Sequence, residues 1–269
     1  MVSGSVGAVV EAAGLRKTFG DAVAVDDVSF TVAAGECLAI VGESGSGKST
    51  VARMLLGLET PDAGRLTVCG RERAARRRVP SAERRRRARE IQIVFQDPYA
   101  SLDRLQRVGD VVETALALHF PSSAAERRAR ATELLESVGL VERHAELRPA
   151  QLSGGQRQRV AIARALAVEP RVLVLDEAVA ALDVSIQAQI LNLLADIRER
   201  RDIAYVFISH DLAVVRQISD RALVMRAGRV VEQGTTESLL TDPREEYTRQ
   251  LRAAVPGPGW RPARRAAAV

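Results

Sequence analysis

Cysteine is almost missing from this chain: Cys37 and Cys69 are the only two in 269 residues. They do not form a CxxC pair, so neither a zinc site nor a four-thiolate iron–sulfur cluster can be assembled within the chain. Both read as small core residues of a reducing compartment. Long apolar stretches are missing too. Crossing a bilayer takes roughly 20 uninterrupted apolar residues, and even Val172 to Leu182 is broken by Asp176 and Glu177. A membrane role would have to be borrowed from a partner. The opening MVSGSVGAVVEAAG has no basic n-region followed by an apolar run, so no secretory signal and no export are expected.

What is present is ordinary for a folded enzyme. Hydrophobic residues make up 46% and charged residues 27%, and the length suffices for a substantial core. The net charge of +5 is concentrated between Arg71 and Arg89. Acidic lipid headgroups and nucleic-acid phosphates could both meet such a run. It lacks interleaved aromatics for base stacking, so it reads as a solvated, partly helical connector and no nucleic-acid partner is expected.

Short apolar runs recur at Val28 to Val32, Cys37 to Val41, Ile91 to Phe95, Val172 to Leu175 and Ala204 to Ile208. The last three have the nearly continuous, β-branched character of strands buried on both faces. Helical periodicity fills Val51 to Leu58, Gln156 to Ala167 and Ile186 to Arg200. Strands alternating with helices predict an α/β fold with a mostly parallel sheet covered on both sides. The opening strands and Gly64 to Gly70 have connections too short for crossover helices, which predicts a small antiparallel β subdomain. Asp110 to about Ala150 is wholly helical in pattern and reads as an inserted helical subdomain. Arg221 to Gly234 reads as strand, turn at Ala227-Gly228, strand. The Pro/Gly/Arg/Ala-rich stretch after Val255 reads as frayed.

Gly42, Glu43, Ser44, Gly45, Ser46, Gly47, Lys48, Ser49 and Thr50 spell GESGSGKST between a predicted strand and a predicted helix. This is the GxxxxGK[ST] phosphate loop in the setting it requires. Its glycines let backbone N–H groups turn inward, and the helix N-terminus adds positive potential. Lys48 would contact β- and γ-phosphates, Ser49 would ligate Mg²⁺ and Thr50 would reach the α-phosphate. VLVLDE, residues 172–177, delivers Asp176 and Glu177 at the C-terminal end of a strand, where open α/β sheets bind ligands. Asp176 would hold Mg²⁺ and Glu177 would orient or deprotonate an attacking water.

QLSGGQRQRVAIARAL, from Gln151 to Leu166, resembles the signature of ABC ATPases. Three further segments fall in that family's order: Gln96 matches the Q-loop, Ala180 to Asp183 the D-loop, and His210, in FISHD, the switch histidine. The resemblance runs from about Leu15 to Val255. It implies a P-loop NTPase of the ABC nucleotide-binding type, with the cassette over residues 5–241, its helical subdomain at about 97–160, and a tail over 242–269. It implies ATP and Mg²⁺ as ligands, with Ser49, Gln96 and Asp176 toward the metal. Lys48, Gln96, Glu177 and His210 take catalytic roles, and Phe19 stands where the family stacks adenine. Ser153, Gly154, Gly155 and Gln156, with Asp183, would complete the ATP site of a second ABC subunit, identical or paralogous. His119 and His144 have no such setting.

FQDPYASLD from Phe95, ALDVSIQAQILNLL from Ala181 and YTRQLRAAVP from Tyr247 are similar to the oligopeptide, dipeptide and nickel importer group. That likeness implies a peripheral subunit on the cytoplasmic face of the membrane. It would power transmembrane permease subunits, fed indirectly by an extracytoplasmic solute-binding protein. A soluble ABC ATPase, of phosphonate degradation, translation or DNA repair, is the alternative. The sequence departs from the family at Ala178-Val179-Ala180, in place of Pro-Thr-Ser, and at Glu245-Glu246, in place of His-Pro. Loop rigidity and communication between subunits rest on the first of these.

Overall fold

The structure is a computed structural model that describes residues 7–73 and 79–253. The first six residues, 74–78 of the basic run and the stretch from 254 onward, including the Pro/Gly/Arg/Ala segment, lie outside the described residues. The chain opens with β1 (Ala8–Phe19), β2 (Ala22–Ala33) and β3 (Cys37–Val41), then α1 (Lys48–Leu56), β4 (Ala63–Val68) and β5 (Arg71–Glu72). Next come α2 (Ser81–Glu90), β6 (Ile91–Val94), α3 (Pro98–Ser101), α4 (Val108–His119), α5 (Ala124–Ser137) and α6 (Gly154–Leu166). The remainder is β7 (Val172–Asp176), α7 (Val184–Arg201), β8 (Ala204–Ser209), α8 (Leu212–Ile218), β9 (Arg221–Arg226), β10 (Arg229–Thr235), α9 (Thr236–Thr241) and α10 (Glu246–Ala253).

Two sheets result. One is antiparallel with strand order β2-β1-β4-β5; the other has order β10-β9-β3-β8-β7-β6, with every neighbouring pair from β9 to β6 parallel. The continuous apolar runs of the large sheet have a direct cause, because successive side chains point to opposite faces and both faces are covered. Cys37, Ala39 and Val41 enter one core while Leu38 and Ile40 enter the other; Tyr205 and Phe207 oppose Val206 and Ile208 in the same way. The second core is closed by the antiparallel sheet and α1, the first by α4 to α8. Tyr205, wholly buried, satisfies its hydroxyl on the Leu194 carbonyl at 2.9 Å.

Between β6 and β7 the backbone carries only helices and single turns, as the charged 110–150 pattern predicts. Their apolar stripe, including Val112, Leu116, Leu134 and Leu135, joins the first core. The basic run forms β5 and α2, and α2 buries none of its residues. Glu83 takes Arg86 and Arg87 within the helix, and Glu90 takes Arg73 and Arg86, so part of its charge is offset locally while the helix remains net basic. Cys37 is buried, whereas Cys69 is only half-buried. It occupies a turn with φ 50°, so it packs on the rim of a core instead of inside it. No described helix is long and apolar enough to cross a membrane.

Leu135 tests whether the helical insertion is part of one core, because it is 2% exposed and lies on α5. Leu135→Ala is expected to cost about 2–5 kcal/mol of unfolding free energy in urea titrations. A loss below about 1 kcal/mol would show that the insertion packs loosely on the sheet.

Candidate nucleotide-binding site

The parallel strands end level with one another: Val41 pairs with Ser209, Asp176 with Ile208 and Val94 with Leu175. Each strand end therefore feeds one edge of the sheet. The phosphate loop leaves β3, Asp176 closes β7 with Glu177 next to it, His210 follows β8, and Gln96 lies exposed two residues past β6.

The phosphate loop is shaped by close backbone approaches. A Cβ on Gly42, at φ 154°, would fall 2.2 Å from the Met225 carbonyl oxygen. Gly228 N–H donates to Ser46 O at 3.1 Å, so the β9–β10 turn braces the loop from outside. Gly47 caps α1 in a left-handed conformation without a side-chain cap, which leaves the first-turn N–H groups of α1 facing the loop as an anion site. Ser44, Gly45 and Ser49 are exposed and Thr50 half-buried, whereas Ser46 is buried.

Lys48 is 5% exposed. Its Nζ donates to Gly42 O at 2.8 Å and Glu43 O at 2.7 Å, with Ser46 Oγ at 3.4 Å. Burial lowers it below the ordinary lysine range against the pull of Glu177, Asp176 and Glu43. Burial raises Asp176 above the usual carboxylate range; the charge of Glu177 adds to this, and Lys48 and Arg53 oppose it. Glu177 adopts φ 49°, a left-handed conformation that a residue with a side chain rarely takes. Its N–H donates to Ile208 O at 3.0 Å, and its Oε1 lies 3.3 Å from His210 Nδ1. Two adjacent carboxylates, one disfavoured in its charged form, stand at the sheet edge that also carries the exposed Ser49 and Gln96. That is a hard-oxygen donor set suited to a small divalent cation such as Mg²⁺.

The remaining sequence-identified residues lie elsewhere. Ser153 is the N-cap of α6: its Oγ accepts from Gln156 N at 3.3 Å and its own N–H donates to Gln156 Oε1 at 2.9 Å. Ser153 is exposed and bonds nothing in the phosphate loop among the described residues. Gly155 is required by packing, since a Cβ there would meet Ile186 Cγ2 at 2.5 Å. Gly154 sits near Leu182 in the same contact. Asp183 is exposed at the N-cap of α7, with no side-chain cap bond. Phe19 ends β1 at 46% exposure with Lys17 Nζ 5.4 Å from its ring centre, so it is an open aromatic face and not a core phenylalanine. Ala178 and Val179 are buried, and backbone bonds from Ala180 N to Glu177 O and Leu182 N to Val179 O close the turn that hydroxyl residues would otherwise line.

Two contacts had no signal in the sequence. His144 accepts from Val141 N–H and lies 3.2 Å from Gln156 Nε2, against the signature segment. Tyr247, near the end of the described chain, accepts a hydrogen bond from Glu43 N–H at 3.1 Å, inside the phosphate loop. Position along the chain hides both partners.

The raised carboxyl has a stability consequence. The folded state holds the Asp176 proton to higher pH than the unfolded chain does. Stability is therefore lost as pH rises from the ordinary aspartate value through the raised one. Asp176→Asn is expected to stabilise the ligand-free chain at pH 7 by about 0.5–2 kcal/mol in urea titrations, and to flatten the dependence on the acid side. A destabilised variant at pH 7 would show that attraction to Lys48 outweighs burial.

Known proteins match this arrangement. Residues 25–180 match the family described as ABC transporter. The chain is 49% identical over 252 residues to the oligopeptide transport ATP-binding protein OppD of Mycobacterium tuberculosis, covering 93% of this chain and 40% of that protein. It is 46% identical over 243 residues to the di/tripeptide transport ATP-binding protein DppF of Pseudomonas aeruginosa, covering 90% and 74%. The chain thus spans less than half the length of the OppD relative. Among solved structures, cbiO1 of Clostridium perfringens, part of the ABC transporter complex cbiONQ, superposes with a TM-score of 0.79 at 30% identity, covering 87% of this chain and 91% of that one. The dimeric post-hydrolysis state of the ATP-binding cassette MJ0796, bound to ADP and Pi, gives 0.75 at 32% identity, covering 84% and 98%.

Proposed function

The chain belongs to the ABC transporter family, and from that premise we propose that it binds and hydrolyses ATP to power a membrane importer of peptides or a related small solute such as nickel. The observation that carries this reading is the convergence of the Lys48 loop, Asp176, Glu177 and His210 at one sheet edge. Lys48 exchanges its loop carbonyls for the β- and γ-phosphates, which restores partners to a buried ammonium. Thr50 reaches the α-phosphate, and Phe19 stacks on adenine. Ser49, Asp176 and Gln96 would hold Mg²⁺, which would supply positive charge to the phosphates. Glu177 takes the proton of the water that attacks the γ-phosphorus, and His210 orients Glu177 and faces the transferred group. The protein contributes position and charge stabilisation, as a loose phosphoryl-transfer transition state requires.

Ser153 to Gln156 and Asp183 act across a dimer. The exposure of Ser153 and Asp183, and the absence of a hydrogen bond from Ser153 to the phosphate loop among the described residues, support a second copy, or a paralogue, closing on the same ATP. The named relatives are transport subunits, which favours permease partners and a peripheral position on the cytoplasmic membrane face over a soluble ATPase. Cargo contacts then belong to the permease and to a solute-binding protein outside the cell.

Glu177→Gln is expected to keep ATP affinity within about threefold while turnover falls by about 10²–10⁴, the usual contribution of general-base catalysis. With turnover blocked, ATP should draw two subunits together in light scattering. Undiminished hydrolysis would remove Glu177 from its role. A chain that stays monomeric with ATP, alone and with its paralogue, would refute the shared site.

A further inference from the structure

Tyr247 joins the C-terminal helix to the phosphate loop, and no role assigned above accounts for it. Its ring is 6% exposed within the first core. The Arg226 guanidinium stacks on that ring at 4.8 Å. The hydroxyl accepts from Glu43 N–H at 3.1 Å. On the other side of the same residue, Glu43 O accepts from Lys48 Nζ at 2.7 Å. Glu43 is therefore gripped from both ends, by the lysine that must let go when phosphate arrives and by a tyrosine that need not.

The helix bearing Tyr247 is itself tied down. Glu232 on β10 accepts from the N–H groups of Arg244 and Glu245 at 2.8 and 3.2 Å, which fixes the entry to α10. Burial works upward on the Glu232 carboxyl, but the neighbouring Thr248 side chain and those two N–H groups outweigh it and hold it below its ordinary value. Arg252 Nη1 reaches the Thr241 carbonyl at 3.2 Å farther along the helix. Glu245-Glu246 place acidic residues at the start of α10, where the helix dipole favours them. Arg226 connects directly to the Ala227-Gly228 turn that braces Ser46, so one short segment supports both the loop and the tyrosine.

We propose that Tyr247 is a positioning residue for the phosphate loop: its hydroxyl holds the Glu43 peptide while Lys48 changes partners, so the anchored α10 tunes the affinity for ATP. The inference rests on the ATP-binding reading above. A loop already held in its bound shape has less conformational freedom to lose when the phosphates bind, which strengthens binding. Removing one hydrogen bond while keeping the ring leaves the core intact.

The test is Tyr247→Phe in the full chain, with Gln250→Ala on the exposed side of α10 as a control. Amide hydrogen exchange at Glu43 should accelerate in Tyr247→Phe and not in the control, without nucleotide present. Affinity for a fluorescent ATP analogue should weaken roughly three- to tenfold, the loss expected for one neutral hydrogen bond. KM for ATP should rise by a similar factor, with kcat changing less than twofold and the melting temperature held within a few degrees. Faster Glu43 exchange with unaltered affinity would overturn the positioning role, as would unaltered exchange. A kcat loss with KM unchanged would also overturn it. A wild-type chain that binds no ATP would overturn the ATP reading and this inference together, which separates the two failures. If Tyr247→Phe melts far below wild type, exchange at Glu43 measured well under its melting point still decides between loss and retention of the bond.

Discussion

A buried ammonium with only borrowed partners is the constraint on which this structure turns. Lys48 is almost wholly removed from water, a position that costs several kcal/mol unless its donors are filled. In the ligand-free chain two carbonyls of its own loop fill them, and the nearest carboxylates act from farther away. The loop can offer those carbonyls only because Gly42 and Gly47 take backbone shapes closed to other residues and press against the Met225 and Ala24 carbonyls. The sheet, in turn, must hold β9 beside β3 for Met225 to be there. Stability of the fold and readiness for an anion are thus the same arrangement seen from two sides: a triphosphate would supply stronger, charged partners than the carbonyls do.

Asp176 and Glu177 mirror this. Two carboxylates at a strand end repel one another, and burial penalises the inner one. The left-handed backbone at Glu177 aims its side chain toward His210 at the same time as its N–H ties β7 to β8 through Ile208. Natural proteins tolerate such local cost where chemistry needs it. Burial thus disfavours the charged form of both Lys48 and Asp176, and a magnesium nucleotide carries the complementary pair of charges.

Much of this was legible in the residues. Apolar runs at β7 and β8 reported burial on both faces because nothing else tolerates unbroken hydrophobicity in so short a strand, whereas β6, interrupted by Gln92, buries only its two ends. The phosphate loop and the Asp-Glu pair were legible because their chemistry depends on neighbours in sequence. What stayed hidden depends on neighbours in space. Tyr247 lies about two hundred positions from Glu43, and nothing in YTRQL indicates which backbone N–H its hydroxyl will meet. Cys69 looked like a core residue because composition does not reveal that its backbone must turn left-handed. The helix α2 was partly visible, but its ion pairing was not: Glu83 and Glu90 each serve two arginines at once, while the helix stays net basic.

The departure at Ala178-Val179-Ala180 acquires a physical meaning from packing. Hydroxyl residues could fasten this turn by side-chain hydrogen bonds; here two buried apolar side chains and two backbone bonds fasten it instead. The turn runs directly into α7, whose Ile186 leaves room for Gly155 and no Cβ, while Leu182 meets Gly154. The signature helix and the segment after Glu177 therefore touch at their N-terminal ends without a gap to absorb movement. In close-packed interiors a displacement at one side of such a contact must appear at the other. A phosphate pulling on Ser153 from a second subunit would press through Gly155 and Ile186 onto the turn that holds Glu177 in its left-handed shape. Apolar fastening suits that transmission, because its resistance comes from contact and does not depend on the direction of a single hydrogen bond.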